Sequence, residues 1–549
     1  MRGRFLVFIC AITIVAALHG CRHRAVSERV EERRLVHVDT ATARTVDRRV
    51  QLGGRPGGQG DCRAVRRDIE RDGARTAADR EDARRCADAS EARVLWHPFT
   101  LRVSDGREVR AESASVLVPE RREASRSRTI PIGMIRLRSA DSATRPPLIF
   151  LDGAPDTGPS SANIALAPLM AFFDVLQQSR DVVFMDYRGT GRSGRLECPA
   201  PISVRRDVFE TRAAGMAFFT EQARKCATAL RAAGVDLAGY TWPDVAADVD
   251  AVRAAIGAPR VDLLGFSSGT HAALVTVRRS GASVGRVVLI GTEGPGHTRK
   301  LPSSADRQLA VVAEHLGADS SSAARFPEFA RTVRQVLDRA ERAPFVVRLR
   351  ASDGDSVDVR VGRYALAYLA TRSMSGPAEF GRLARLFGSL ASGDVAVLQQ
   401  SVQRAFAPST GPSAANYLMD GSAGVSAERA RRIREEAARS PFADAASFPY
   451  PEIQAGWGYT DLGEANRAPV YSGVPALFIT GALDGNTPPS QAAEVAAGFA
   501  RSTQLVVDGA GHGDPMRMPA VAHVIVAFLQ GDDVSARRLV APPPRRRPQ

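Results

Sequence analysis

The chain has 549 residues, 44% of them hydrophobic, and a formal net charge of +14. That apolar share over that length buries a large core and excludes a chain that stays unfolded, and the length allows two or three domains. The basic excess is almost all arginine, with Lys225 and Lys300 the only lysines, and it is spread along the chain, so it does not single out nucleic acid as a partner.

The first expected element is an export signal over residues 1–21. Arg2 and Arg4 precede the apolar run "FLVFICAITIVAAL" (Phe5 to Leu18), which is short for a membrane span, and "LHGC" follows, ending at Cys21. This ending resembles the lipobox of bacterial lipoproteins, with Leu18, Gly20 and Cys21 matching and His19 where a small or hydroxyl residue is usual. The resemblance implies lipidation of Cys21, a membrane anchor through that lipid and a place in the cell envelope; ordinary signal-peptidase cleavage is the alternative. Residues 22–95 read as a polar, Arg-rich segment with a flexible "LGGRPGGQG" linker and a charged helical pair between Cys62 and Cys86. Past the signal the cysteines are Cys62, Cys86, Cys198 and Cys226, an even set that predicts two disulfides in an exported chain. Cys62 with Cys86 and Cys198 with Cys226 is the simplest of the three possible pairings. With neither C-x-x-C nor H-E-x-x-H in the chain, no metal and no cofactor is expected.

The runs "SASVLVPER" and "TIPIGMIRLRS" alternate as strands do and predict an antiparallel entrance to a sheet. From Pro147 short apolar strands alternate with helices, the pattern of a mostly parallel α/β sheet covered on both faces. The expected strands are 147–152, 182–187, 261–266, 286–291, 475–480 and 504–509. Residues 294–463, far longer than a loop, carry helical patterns such as "DRQLAVVAEHL" and "EFARTVRQVLDRAERA" and predict a helical cap forming a second domain. This divides the core into 96–293 and 464–535, with a basic Pro-rich tail over 536–549.

The chemistry centres on "LLGFSSGT", where Gly265-Phe266-Ser267-Ser268-Gly269 is G-x-S-x-G, directly after a strand and directly before a helix pattern. That context is a nucleophile elbow: small neighbours let the chain turn sharply and lift the Ser267 hydroxyl above the sheet, while the Ser268 N–H becomes an oxyanion donor. A serine needs a base, and the base needs an orienter. Asp484, in "ITGALDGNTPP", and His512, in "VVDGAGHGDP", each follow their own strand, in the order Ser, Asp, His. Asp508 and Asp514 are rival orienters ranked below Asp484 because they lie so close to His512 in sequence. His271, His297, His315 and His523 have no constellation around them, and His271 is expected to be packed.

The loop "LDGAP" (Leu151 to Pro155), "FMDYRGTGRSGRLECP" (Phe184 to Pro199) and the elbow together resemble the prolyl and tripeptidyl aminopeptidase group of α/β-hydrolases. Asp186, Arg188, Gly189, Gly191 and Ser193 match that group's D-x-R-G-x-G-x-S motif, and a cysteine like Cys198 is common in its exported members. The resemblance covers residues 115–294 and 474–529. It implies the α/β-hydrolase fold, removal of N-terminal residues from short peptides, and the Ala154 N–H as second oxyanion donor. In the first loop Asp152, Ala154 and Asp156 replace the group's His or Asn, Gly and Gly. Either acid is a candidate to meet a substrate ammonium. A carboxylesterase using the same triad, and a surface lipoprotein that binds without turnover, are the alternatives.

Overall fold

The structure, a computed structural model, describes residues 94–140, 145–153, 164–199, 204–350, 356–405 and 413–542. The expected signal, Cys21, the linker, Cys62, Cys86, Ala154 and Asp156 lie outside them. The chain runs through β1 (His97–Arg102), β2 (Glu108–Pro119), β3 (Thr129–Leu137), β4 (Leu148–Leu151), α1 (Ala167–Gln177) and β5 (Val182–Met185). It continues with α2 (Arg212–Ala232), α3 (Trp242–Ala255), β6 (Val261–Phe266), α4 (Ser268–Ser280) and β7 (Val284–Ile290). An insertion then supplies α5 (Pro302–Ala318), α6 (Ser320–Arg325), α7 (Phe329–Arg342), β8 (Phe345–Arg350), β9 (Ser356–Val361), α8 (Arg363–Thr371), α9 (Pro377–Ala391) and α10 (Ala396–Ala405). Its second part holds α11 (Ala414–Ala423), α12 (Ala427–Ala437), α13 (Gln454–Trp457) and α14 (Glu464–Arg467), before β10 (Ala476–Gly481), α15 (Pro489–Ala496), β11 (Ser502–Asp508), α16 (Pro519–Gln530) and β12 (Leu539–Val540).

One sheet has the order β1-β2-β3-β5-β4-β6-β7-β10-β11-β12. Pairing is antiparallel from β1 to β5 and parallel from there to β12. The inner parallel strands β4, β5, β6, β7 and β10 are apolar at most positions because both faces are covered, whereas β11, next to the edge, is exposed at alternate positions. Ile149 and Leu151 face the layer of α2, α3 and α4, whereas Leu148 and Phe150 face α1 and α16. The strand β1 was not anticipated; "HPFTLR" is short and exposed along most of its length.

The insertion differs from the expected helical cap in two ways. It contains the hairpin β8–β9, whose Phe345, Val347 and Leu349 point inward between exposed neighbours, a two-residue period hidden among helical patterns. Its first part centres on a separate cluster around Leu309, Val333, Leu337, Phe380 and Phe387, which also takes in Val208, Phe209 and Phe218 from outside the insertion. The second part returns to the main core, where Tyr417, Leu418 and Trp457 pack with Trp242. The helix α11 is apolar or small on almost all sides, which suits burial against other helices rather than a free cap surface. Residues Val94–Gln549 accordingly form one compact unit rather than two.

The D-x-R-G-x-G-x-S stretch is a structural knot beside β5. The strand ends at Met185, short of the expected Tyr187, and in the turn that follows Asp186 Oδ2 accepts from the Arg192 N–H at 2.9 Å. Ser193 Oγ donates to Asp186 O at 2.7 Å and accepts from Gly133 N at 2.9 Å, tying the turn to β3. The fully buried Arg188 makes a two-pronged pair with Asp248, at 2.7 Å on each side, and donates to the carbonyls of Glu120 and Gly239. A disulfide joins Cys198, just past the turn, to Cys226 of α2, with Cα atoms 4.8 Å apart. Arg122 also bonds Asp248. Replacing Arg188 by Met strands the buried Asp248 carboxylate on Arg122 alone. The expected cost is about 3–5 kcal/mol in urea unfolding; a loss under about 1 kcal/mol would contradict this reading of the motif.

Candidate active site

At the carboxyl end of β6 the backbone does something a serine rarely does. Ser267 sits at φ 53° and ψ −124°, and α4 starts at the next residue. The turn closes because its flanking residues have no side chains: a Cβ on Gly265 would lie 2.6 Å from Gly269 O, and one on Gly269 only 2.0 Å from Leu151 O. Hydrogen bonds hold the strained residue from both directions. Its N–H donates to Ile290 O of β7 at 2.9 Å, and its carbonyl accepts from Thr270 N at 2.8 Å and Thr270 Oγ1 at 2.5 Å.

The loops after β10 and β11 bring the other two expected residues to this hydroxyl. His512 Nε2 lies 2.9 Å from Ser267 Oγ, and His512 Nδ1 lies 2.8 Å from Asp484 Oδ2. A carboxylate only accepts, so Nδ1 carries the proton and Nε2 is left to accept from the serine hydroxyl. Asp484 is 1% exposed. Its Oδ1 accepts from the N–H groups of Asn486 and Thr487 at 2.8 and 2.9 Å, and its Oδ2 from Thr487 Oγ1 at 2.8 Å. These donors fix the direction of the buried carboxylate.

Three participants had no motif to announce them. Thr487 Oγ1 reaches Asp484 and also lies 3.1 Å from His512 Nδ1. From the insertion, Ser375 O accepts from the His512 N–H at 2.8 Å, and Gln308 Nε2 donates to Leu483 O and Met374 O at 3.0 and 2.9 Å. The rival acids have other places: Asp514 Oδ2 accepts from Gly511 N at 2.7 Å and shapes the histidine loop, while Asp508 is exposed at the end of β11. Ser268 heads α4, where its N–H is among the first-turn donors that α-helical bonding leaves unused. Gly153 lies against Ser267, with a position for its Cβ 3.4 Å from Ser267 Cβ. Asp152 turns its carbonyl to the Tyr187 hydroxyl at 2.6 Å and its Oδ1 to Gly153 N at 2.7 Å.

His271, one turn along α4 from Ser267, is fully buried and stacks on Trp242 with ring centres 5.1 Å apart. Neither ring nitrogen has a partner among the described residues. Burial pushes its pKa down to about 4; Glu293 opposes the shift, and Arg278, His297 and Lys300 add to it. The unfolded chain takes up this proton below about 6.5 and the folded chain only near 4, so the stability due to neutral His271 is lost as pH falls through that window. The loss is expected to be on the order of 3 kcal/mol between pH 7 and pH 4, and His271→Phe should flatten that limb in pH-dependent urea unfolding. Equal acid limbs in both proteins would contradict it.

The alpha/beta hydrolase fold family matches residues 146–516 of the chain. No curated protein is similar enough in sequence to match. Similar solved structures include a thermophilic esterase from Thermogutta terrifontis, 14% identical over 76% of this chain and 98% of that one, with a TM-score of 0.32. A proline iminopeptidase from Mycobacterium smegmatis is 15% identical over 77% of this chain and 100% of its own, with a TM-score of 0.35. An esterase from Rhodococcus sp. is 17% identical over 73% and 96%, with a TM-score of 0.32. The family match takes in the elbow, the strands around it and the loops of Asp484 and His512, and the chain belongs to the alpha/beta hydrolase fold family.

Proposed function

We propose that the protein is an exported serine hydrolase that removes N-terminal residues from short peptides. The observation that carries the hydrolase reading is the unbroken hydrogen-bonded chain from Ser267 Oγ through His512 to Asp484. In the proposed reaction Ser267 Oγ attacks the scissile carbonyl carbon while His512 Nε2 takes the hydroxyl proton. The carbonyl oxygen becomes an oxyanion held by the N–H groups of Ser268 and Ala154. His512 then gives its proton to the leaving amine nitrogen, the C–N bond breaks, and an acyl-enzyme remains. Water, deprotonated by His512, attacks the ester, and Ser267 recovers its proton as the acid leaves. Asp484 holds the imidazole tautomer and offsets its charge.

The peptidase part of the proposal rests on the matches at Asp186, Arg188, Gly189, Gly191 and Ser193. Export is supported by the leader pattern before Cys21 and by the Cys198–Cys226 disulfide, a bond that persists in oxidising compartments. A lipid at Cys21 would keep the enzyme at a membrane surface.

The test is a panel of free and N-blocked aminoacyl and tripeptidyl arylamides with short-chain nitrophenyl esters, run on wild type and Ser267→Ala. Cleavage of unblocked arylamides that disappears in Ser267→Ala is expected. Turnover of esters alone would replace the peptidase by an esterase, and absence of any Ser267-dependent turnover would favour a binding role. Asp484→Asn leaves the hydrogen-bond geometry nearly intact but supplies an amide that favours the wrong tautomer. Its kcat should fall by about 10³–10⁴ with KM little changed.

A further inference from the structure

The opposite end of the sheet holds a second feature. A groove of about 660 Å³ passes under the amino ends of β4, β6, β7, β10 and β11, and its lining includes Arg260, Asp262, Arg286, Gly473 and Arg501. Ser267, Asp484 and His512 all follow the carboxyl ends of their strands. The groove is therefore about one strand length, roughly 20 Å, from the hydrolytic site.

Elsewhere many arginines of the described chain meet a carboxylate, as Arg188 meets Asp248 and Arg212 meets Asp444. The three in this groove do not. Arg260 donates Nη2 to Val284 O at 3.1 Å, and Arg501 donates Nε and Nη2 to Gly473 O at 3.0 and 2.5 Å. The guanidinium of Arg286 lies 5.3 Å from the Phe528 ring centre. These contacts are to a carbonyl or a ring, and none of the three guanidinium groups has a carboxylate within 4 Å among the described residues, although Arg286 is attracted to Asp262 at longer range.

Asp262 is the sole acid among the described residues of the lining, and it is already committed. It pairs with the buried Arg180, and its Oδ1 accepts from Arg286 N at 2.8 Å. The approach is so close that a Cβ on Gly285 would lie 2.5 Å from that oxygen, and the β6–β7 register shifts between Val261 and Leu263. A bulge of this kind re-aims the residues beside it. Here it presses β7 onto the Asp262 carboxylate, and the next residue in the strand is Arg286. The floor of the groove is thus a consumed acid, and its walls are three cations.

We propose that this groove binds a phosphate-bearing anion. Planar guanidinium forks match the tetrahedral array of phosphate oxygens, and a site of this volume, within the usual range for small-molecule pockets, has space for the organic part of a phosphate ester or a phospholipid headgroup. The site is independent of the hydrolytic reaction and persists in a chain without Ser267.

The test uses the full chain and Arg260→Gln/Arg501→Gln, both positions being exposed and suited to replacement without loss of fold. Inorganic phosphate and glycerol phosphate are titrated by calorimetry. In parallel, sedimentation with phosphatidylcholine vesicles is measured with and without added phosphatidylglycerol. Binding of the soluble phosphates that weakens about tenfold or more in the double variant, with whatever Ser267-dependent turnover the wild type shows unchanged, supports the site and assigns a soluble ligand. A phosphatidylglycerol-dependent gain in sedimentation that the double variant loses supports it and assigns a lipid headgroup. Charge reversal to Glu at the same two positions should abolish either signal. No binding in either arm, or binding that both variants keep, overturns the proposal.

Discussion

The strained backbone of Ser267 is the constraint on which the rest of the site depends. A non-glycine residue in a sparsely populated φ/ψ region costs about 1–3 kcal/mol and survives only where its surroundings hold it there. The surroundings here are specific: Gly265 and Gly269 allow the chain to fold back on itself, β7 supplies an acceptor for the Ser267 N–H, and Thr270 doubles the bond to its carbonyl. Thr270 Oγ1 in turn accepts from Glu293 N at 2.7 Å, so the segment that leads from β7 into the long insertion is fastened to the elbow. The strain is balanced by the sheet on one side and the root of the insertion on the other.

The same insertion supports the histidine. Ser375 and Gln308 hold the backbone of the two loops that carry His512 and Asp484, and neither touches the reacting groups. The insertion is thus part of the site's frame. The D-x-R-G-x-G-x-S turn is likewise a frame: Arg188 spends its donors on Asp248, Glu120 O and Gly239 O, and Ser193 ties Asp186 to β3. That stretch is a matter of scaffold, whereas the Ser267–His512–Asp484 arrangement is built from the loops at the carboxyl ends of β6, β10 and β11.

What could be read beforehand follows from how local each feature is. The elbow was legible because five consecutive residues must satisfy one steric problem, and the parallel strands because burial on both faces leaves continuous apolar runs. Asp484 and His512 were legible through their order and through the strand before each. Thr487, Ser375 and Gln308 were not, since a hydroxyl, a backbone carbonyl and an amide acting across the fold leave no spacing to detect. The hairpin β8–β9 was lost for a different reason: two six-residue strands, rich in arginine and set between helices, are too short to shift the period of the whole segment. The return of α11 and α13 to the main core depends on tertiary packing with Trp242 and its neighbours, which helical periodicity alone does not encode.

The central claim is that the geometry of the elbow makes one serine of an adjacent pair reactive. The direct measurement is mass-spectrometric mapping of the adduct formed by a fluorophosphonate on the wild-type chain and on His512→Ala. The account predicts a phosphonyl group on Ser267, with labelling slowed by orders of magnitude when the imidazole is removed. An adduct on Ser268, or labelling of Ser267 at the same rate without His512, would contradict it.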